Sequence, residues 1–248
     1  IYKKYKIKNP LYKFKTPGGT TRSLWRVSDK KEIKNISKKF SYIKRFYIAD
    51  GHHRYAAIEN LSKKINSRLK RKKKISLLTA IFDYKSVNIL SFHRLVKFKR
   101  FNKVKFLDAL NDKFLTIKKR KFESPRELGN LMIYFNNSWF GVSLRSNKKL
   151  YSKFETDIDI VEKIIIKNRS NKNRTNYLSK LVNLPGKFNH KKLVQEVDSG
   201  NADVGFFICP LPMKKIMSIA DRGKIVPKKS TYFDPKPADG LVNLLMEI

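Results

Sequence analysis

The sequence predicts an α/β chain of the mixed α+β kind, and three observations carry that expectation. Short apolar runs such as Phe46-Tyr47-Ile48-Ala49 alternate with segments whose apolar residues recur at helical spacing, such as Ile58, Leu61 and Ile65. Strand-like and helix-like segments interleave along the whole length without an internal repeat. Hydrophobic residues make up 41% of the 248, enough to bury a core. The expected organisation is one domain over residues 1–248, with a sub-domain boundary near residue 100.

Residues 1–27 read as a hairpin: a strand over 2–14, turn chemistry at Pro17-Gly18-Gly19, and a return strand over 20–27. Asp29 with Glu32 three residues on predicts a capped helix carrying Ile33, Ile36 and Phe40. Residues 46–49 read as a short strand ended by Asp50-Gly51, and a helix follows at once toward Leu69. The apolar run 75–82 predicts a buried strand, and 87–96 predicts another that carries His93. Asn102 caps a helix through Leu107, Leu110 and Phe114, and Leu115-Thr116-Ile117 is strand-like. Ser124-Pro125-Arg126-Glu127 has a cap, a first-turn proline and a glutamate, which predicts a helix start. A strand over 138–144, a helix over 156–167 and a basic surface loop over 168–176 follow. A helix from Asn189 to Gly200, a strand over 204–209 and a helix over 212–222 closed by Gly223 complete the reading.

The charge is the loudest number: 57 Lys+Arg against 20 Asp+Glu, a net +37. Taken alone it favours a nucleic-acid partner. The lysines are spread from Lys3 to Lys236 among abundant Ile and Asn, however, so a basic solvated surface set by composition is the preferred reading. The densest cluster, residues 68–74, reads as an exposed loop after a helix. A single cysteine, Cys209, excludes an internal disulfide and a cysteine-rich zinc site, and it points to a cytoplasmic protein. No apolar run approaches the ~20 residues of a membrane span, and no signal-peptide layout opens the chain.

The chemistry is concentrated at Asp50-Gly51-His52-His53-Arg54, where two of the four histidines stand side by side at a helix start. A helix N-terminus exposes unpaired N–H groups and a partial positive charge, which suits phosphate. Gly51 permits close approach of the backbone, Arg54 offers a fork of donors, and Asp50 can hold a metal, orient a histidine or act as a base. Lys229, Ser230 and Thr231 add ammonium and hydroxyl groups in a proline-bounded loop. His93 and Arg94 lie in an apolar strand, His93 reading as a core histidine more readily than as a catalytic group. The turn, the His93-Arg94 pair and the loop at 228–231 are expected to line one pocket. A metal site from Asp50, His52, His53 and His93 has no diagnostic spacing. His190 and Cys209 read as structural.

The run Ala49-Asp50-Gly51-His52-His53-Arg54-Tyr55 resembles the signature of domain-of-unknown-function family 1015. Further pieces match that family in the same order: Leu24-Trp25-Arg26-Val27, His93-Arg94-Leu95-Val96, and Lys229-Ser230-Thr231-Tyr232-Phe233 with Pro235-Lys236 and Gly240-Leu241-Val242. The resemblance implies that an N-terminal part with its own polar motifs is lacking here. Glu162 stands where the family has a histidine, Val226 where it has a methionine, and Asp234 where it has an aromatic residue. The turn is also similar to the phosphate-binding turn of the ParB and sulfiredoxin superfamily, some members of which phosphorylate free serine. That likeness implies a ParB-like turn and helix packed on a mixed sheet. It also implies a nucleotide ligand, ATP or ADP, with Mg²⁺.

The expected protein therefore binds nucleotide phosphates through Gly51, Arg54, Lys229, Ser230 and Thr231. Asp50, His52 and His53 are the candidate catalytic groups, with His93 and Arg94 in support. Phosphoryl transfer to a small hydroxyl metabolite such as serine is the implied reaction. A non-catalytic nucleotide- or nucleic-acid-binding protein is the alternative.

Overall fold

The computed structural model describes residues 2–16, 19–68, 73–166, 178–236 and 240–245. It divides into two compact units, Ile1–Ile48 and Ala49–Ile248. The predicted turn residues Pro17-Gly18, most of the lysine cluster at 68–74 and the predicted loop over 168–176 lie outside the described residues.

In the first unit a helix α1 (Tyr2–Lys6) precedes a two-stranded hairpin, β1 (Tyr12–Lys15) and β2 (Thr21–Leu24), paired antiparallel from Tyr12 against Leu24 to Lys15 against Thr21. The hairpin is thus shorter than its sequence pattern, and its expected first half is helical. The cause lies in α2 (Lys30–Ser41): Lys4 and Tyr5 both donate to the Glu32 carboxylate, which fixes α1 by side chains. Asp29 caps α2 as its spacing predicts, accepting from the Glu32 amide at 2.8 Å. Residues 46–48 form no strand, and Phe46 and Ile48 are exposed.

The second unit begins with α3 (His52–Arg68), which has no buried residue. The predicted strand over 75–82 is absent: the residues there pair with no strand among the described residues, and Ile81 and Phe82 are half exposed. A short apolar run looks alike whether buried or not, and only a neighbouring strand makes it part of a sheet. The sheet itself is assembled from β3 (Asn88–Phe98), β4 (Leu115–Lys119), β5 (Asn130–Phe135), β6 (Ser138–Ser143), β7 (Leu178–Pro185), β8 (Val204–Ile208) and β9 (Thr231–Asp234). Its order is β4-β6-β5-β8-β3-β7, with β9 on the start of β3 and every pairing antiparallel. The class is α+β, as expected, and the sheet is antiparallel throughout rather than mixed.

One face of the sheet, with Val96, Ile133, Phe140 and Phe206, is covered by α4 (Lys103–Asn111) through Phe106 and Leu110. It is also covered by α6 (Asp157–Ile160), which follows the short helix α5 (Lys148–Tyr151), and by the π-helical turn Val161–Ile166 that continues α6. The other face, with Leu95, Met132, Tyr134 and Leu184, is covered by α7 (His190–Asp198) through Leu193. Alternation along β3 therefore splits its residues between two cores. Asn102 caps α4 as the sequence predicts, and Thr156 on α6 and Asn189 on α7 also each accept a backbone N–H.

The helix expected from Ser124 does not form. Gly129, at φ +87°, donates its amide to the buried Asp157 carboxylate at 2.7 Å, and the chain enters β5 at the next residue. A capping sequence cannot propagate when a tertiary bond turns the backbone within one turn of it. β5 and β6 are then joined by Asn136 and Asn137, both with positive φ, as a two-residue hairpin requires.

Candidate functional site

The site is built from the start of α3 upward. Gly51 sits at φ +82°, in the left-handed region that glycine enters without penalty, and its carbonyl accepts the first helical bond from Tyr55. The Arg54 side chain folds back over it, and a Cβ at Gly51 would lie 3.2 Å from the guanidinium. Asp50 does not cap the helix. One of its oxygens accepts from the Gly51 amide at 3.0 Å and the other from Lys236 Nζ at 3.2 Å, 186 residues away. Among the described residues nothing accepts from the amides of His52, His53 and Arg54, and nothing bonds their side chains. The helix start is thus open, with two imidazoles and one guanidinium exposed around it.

Partial burial raises the Asp50 carboxyl, but the hydrogen bonds from Lys236 and Gly51 and the charges of Lys236 and Arg54 hold it below the ordinary value. It stays ionised at neutral pH, the state in which it fastens Lys236 to the turn.

Lys236 belongs to a stack of cations and rings along β9. Its ammonium lies 5.4 Å from the Tyr232 ring centroid, and Tyr232 meets Phe92 edge-on at 5.8 Å. The Lys229 ammonium lies 5.4 Å from Phe92. β9 pairs with residues 88–91 of β3, which sets Tyr232 opposite Leu90 and places these groups side by side. Turn and C-terminal loop are in this way joined through Asp50, Lys236, Tyr232, Phe92 and Lys229.

The remaining candidates are placed differently. Ser230 is buried and donates to the Pro227 carbonyl at 2.6 Å, and Thr231 pairs with Ser91 in the sheet. Arg94 is fully buried, and each of its guanidinium nitrogens is engaged. Nε and Nη2 meet the Glu162 carboxylate at 2.9 and 2.8 Å, and Nη1 donates to the carbonyls of Phe92 and Lys229 at 2.9 and 3.0 Å. His93 points to the other face of β3. Its Nδ1 accepts from the Ile208 amide at 3.2 Å, its ring stacks on Phe207 at 3.8 Å, and burial with the charge of Arg94 lowers its pKa to about 4. It is a neutral core histidine, and strand alternation keeps it away from the Lys229 loop. His190 stacks on Phe122 at 4.1 Å. Burial pushes the Cys209 thiol up to about 11, with Asp157 and Glu127 adding to the effect.

Lys236, Tyr232, Phe92 and Glu162 are the participants that spacing alone does not single out. Among the described residues no three His, Cys, Asp or Glu side chains stand close enough to hold a metal. Mg²⁺ demands near-octahedral oxygen ligation through carboxylates, waters and phosphates. Asp50, already committed to Lys236, is the one carboxylate at the turn, so the described residues do not form a resident Mg²⁺ site.

Residues 1–167 match the profile of the protein of unknown function family DUF1015. The chain belongs to this family. Of solved structures, a conserved hypothetical protein from Pyrococcus furiosus is similar to this DUF1015 chain at 18% identity. It covers 75% of this chain and 68% of its own, with a TM-score of 0.41. A free serine kinase variant in complex with AMP is similar at 16% identity over 84% of this chain and 81% of its own, with a TM-score of 0.43. Another structure of a free serine kinase variant, in complex with ADP, overlaps at a TM-score of 0.40. None of the curated proteins matches the chain. No described helix is long and apolar enough to cross a membrane.

Proposed function

We propose that this DUF1015 chain binds a nucleotide, ATP or ADP, by its phosphates at the open N-terminus of α3, and passes a phosphoryl group to a small hydroxyl metabolite such as free serine. The observation that carries the reading is the Asp50–Lys236 ion pair. It brings a second cation, Lys236, to a helix start where the amides of His52, His53 and Arg54 have no acceptor among the described residues. Arg54 and Lys236 thus stand at the turn with Asp50, and the contacts through Tyr232 and Phe92 lead on to Lys229; cations at an open helix start are what a polyphosphate needs.

In phosphoryl transfer the protein mainly positions groups and offsets charge. Arg54 and Lys236 would steady phosphate oxygens with the α3 amides, and Lys229 would meet the far end of the ligand. The hydroxyl oxygen of the acceptor attacks phosphorus, the bond to the nucleotide's bridging oxygen breaks, and the hydroxyl proton leaves to His52 or His53. Histidine is the side chain that exchanges protons near neutral pH. Asp50, held ionised by Lys236, fixes the turn in this scheme. Serine is taken from the likeness of the turn to free-serine kinases, and a cytoplasmic location follows from a metabolite of that kind.

The test is a titration of wild type and Arg54→Ala with ADP at two ionic strengths, with duplex DNA titrated beside it. Loss of one charged forked donor is expected to weaken ADP binding by about 2–3 kcal/mol, with a weak salt effect. Equal ADP affinity in both proteins removes the turn from the mechanism. Tight DNA binding that falls steeply with salt promotes the +37 surface as the functional feature instead. Incubation with ATP or ADP and free serine, followed by ³¹P NMR, decides the transfer: bound nucleotide without phosphoserine leaves a binding protein.

A further inference from the structure

We infer that Arg94 is a positioning residue: held by Glu162, it clamps the backbone of the 228–230 loop from inside and so presents the Lys229 ammonium outward to the phosphate site. The inference rests on the nucleotide reading above and adds to it the device that shapes one wall of the site.

The loop makes the case. Lys229 has φ +54°, a left-handed conformation that costs a non-glycine residue energy unless its surroundings hold it there. In that conformation its carbonyl turns inward to Arg94 Nη1 at 3.0 Å, the Lys228 carbonyl lies 3.5 Å from Nη2, and both lysine side chains stay exposed. Ser230 secures the bend by its bond to Pro227. The clamp is itself anchored: Arg94 sits on the central part of β3, and Glu162 comes from the π-helical turn 161–166. A buried guanidinium without a carboxylate would be strongly penalised, so Glu162 is what lets Arg94 stay charged there. Only arginine's planar fork can meet a carboxylate and carbonyls on separate elements at once; lysine has the charge without the fork.

The test uses the full chain carrying Glu162→Gln or Arg94→Lys, both conservative enough to keep the core volume. Backbone amides of residues 228–231 are expected to gain at least about tenfold more in exchange rate than those of the β5–β6 hairpin, which report the general change in stability. Loop exchange that is unchanged, or that rises only as much as the hairpin's, overturns the clamp. For the presentation of Lys229, ADP is titrated into a double-mutant cycle. Glu162→Gln is expected to weaken binding about tenfold, and Lys229→Ala added to it to cost less than about twofold more, while Arg54→Ala keeps its full effect. A full further loss from Lys229→Ala means the lysine is presented without the clamp, and the inference fails. If wild type binds no ADP, the phosphate reading falls and the positioning role with it. The exchange rates then still decide, by themselves, whether the clamp exists.

Discussion

The turn at residues 50–54 and the loop at residues 228–231 are both polar and basic, and their backbone groups are used in opposite ways. In the turn the amides of His52, His53 and Arg54, both imidazoles and the Arg54 guanidinium are without acceptors among the described residues. In the loop the polar groups are spent inward: the Lys228 and Lys229 carbonyls on Arg94, the Ser230 hydroxyl on Pro227, and Thr231 on the sheet. Arg54 and Arg94 show the contrast at one residue type. Open donors are available to a ligand, whereas satisfied donors hold structure, and a basic residue in a motif is evidence for binding only after its partners are known.

The largest expected effect lies on the satisfied side. Arg94→Met leaves the carbonyls of Phe92 and Lys229 without their donor and Glu162 without its cation, which should cost about 3–5 kcal/mol in urea unfolding. Arg54→Met should leave unfolding unchanged within about 0.5 kcal/mol. Equal losses in the two variants would erase the distinction between turn and loop.

Next comes the response to acid. Burial first, and the Arg94 charge second, hold His93 at about 4 in the fold, against 6.5 ordinarily. Between those values the unfolded chain binds the extra proton, so stability present above pH 6.5 is lost as pH falls through the window. The loss reaches up to about 3 kcal/mol. Urea midpoints of wild type should therefore fall from pH 7 to pH 4 more steeply than those of His93→Gln. Parallel pH profiles would show that His93 is not held neutral by the core.

The smallest effect on stability is expected at the junction of the two regions. Asp50 and Lys236 are both about half exposed, so Lys236→Met should change unfolding by less than about 1 kcal/mol. ADP affinity should nevertheless fall severalfold, because a cation at the phosphate site is gone. Unaltered affinity would confine the site to the turn alone.

Local chemistry was the legible part of this chain. Asp29 and Asn102 cap their helices as read, because a side-chain oxygen needs only its own next few residues to find an amide. The helix start after Gly51 was readable for the same reason. Spatial partnership decided the rest. Residues 75–82 have the composition of a buried strand but no strand beside them among the described residues, and Ser124-Pro125-Arg126-Glu127 has a helix signal overruled by the Gly129–Asp157 bond. Nothing in the spacing of residues 50 and 236, or of 94 and 162, announces that they meet. Ion pairs and sheet register form across the chain at an entropic cost that only the assembled core repays, so they are properties of the tertiary structure alone.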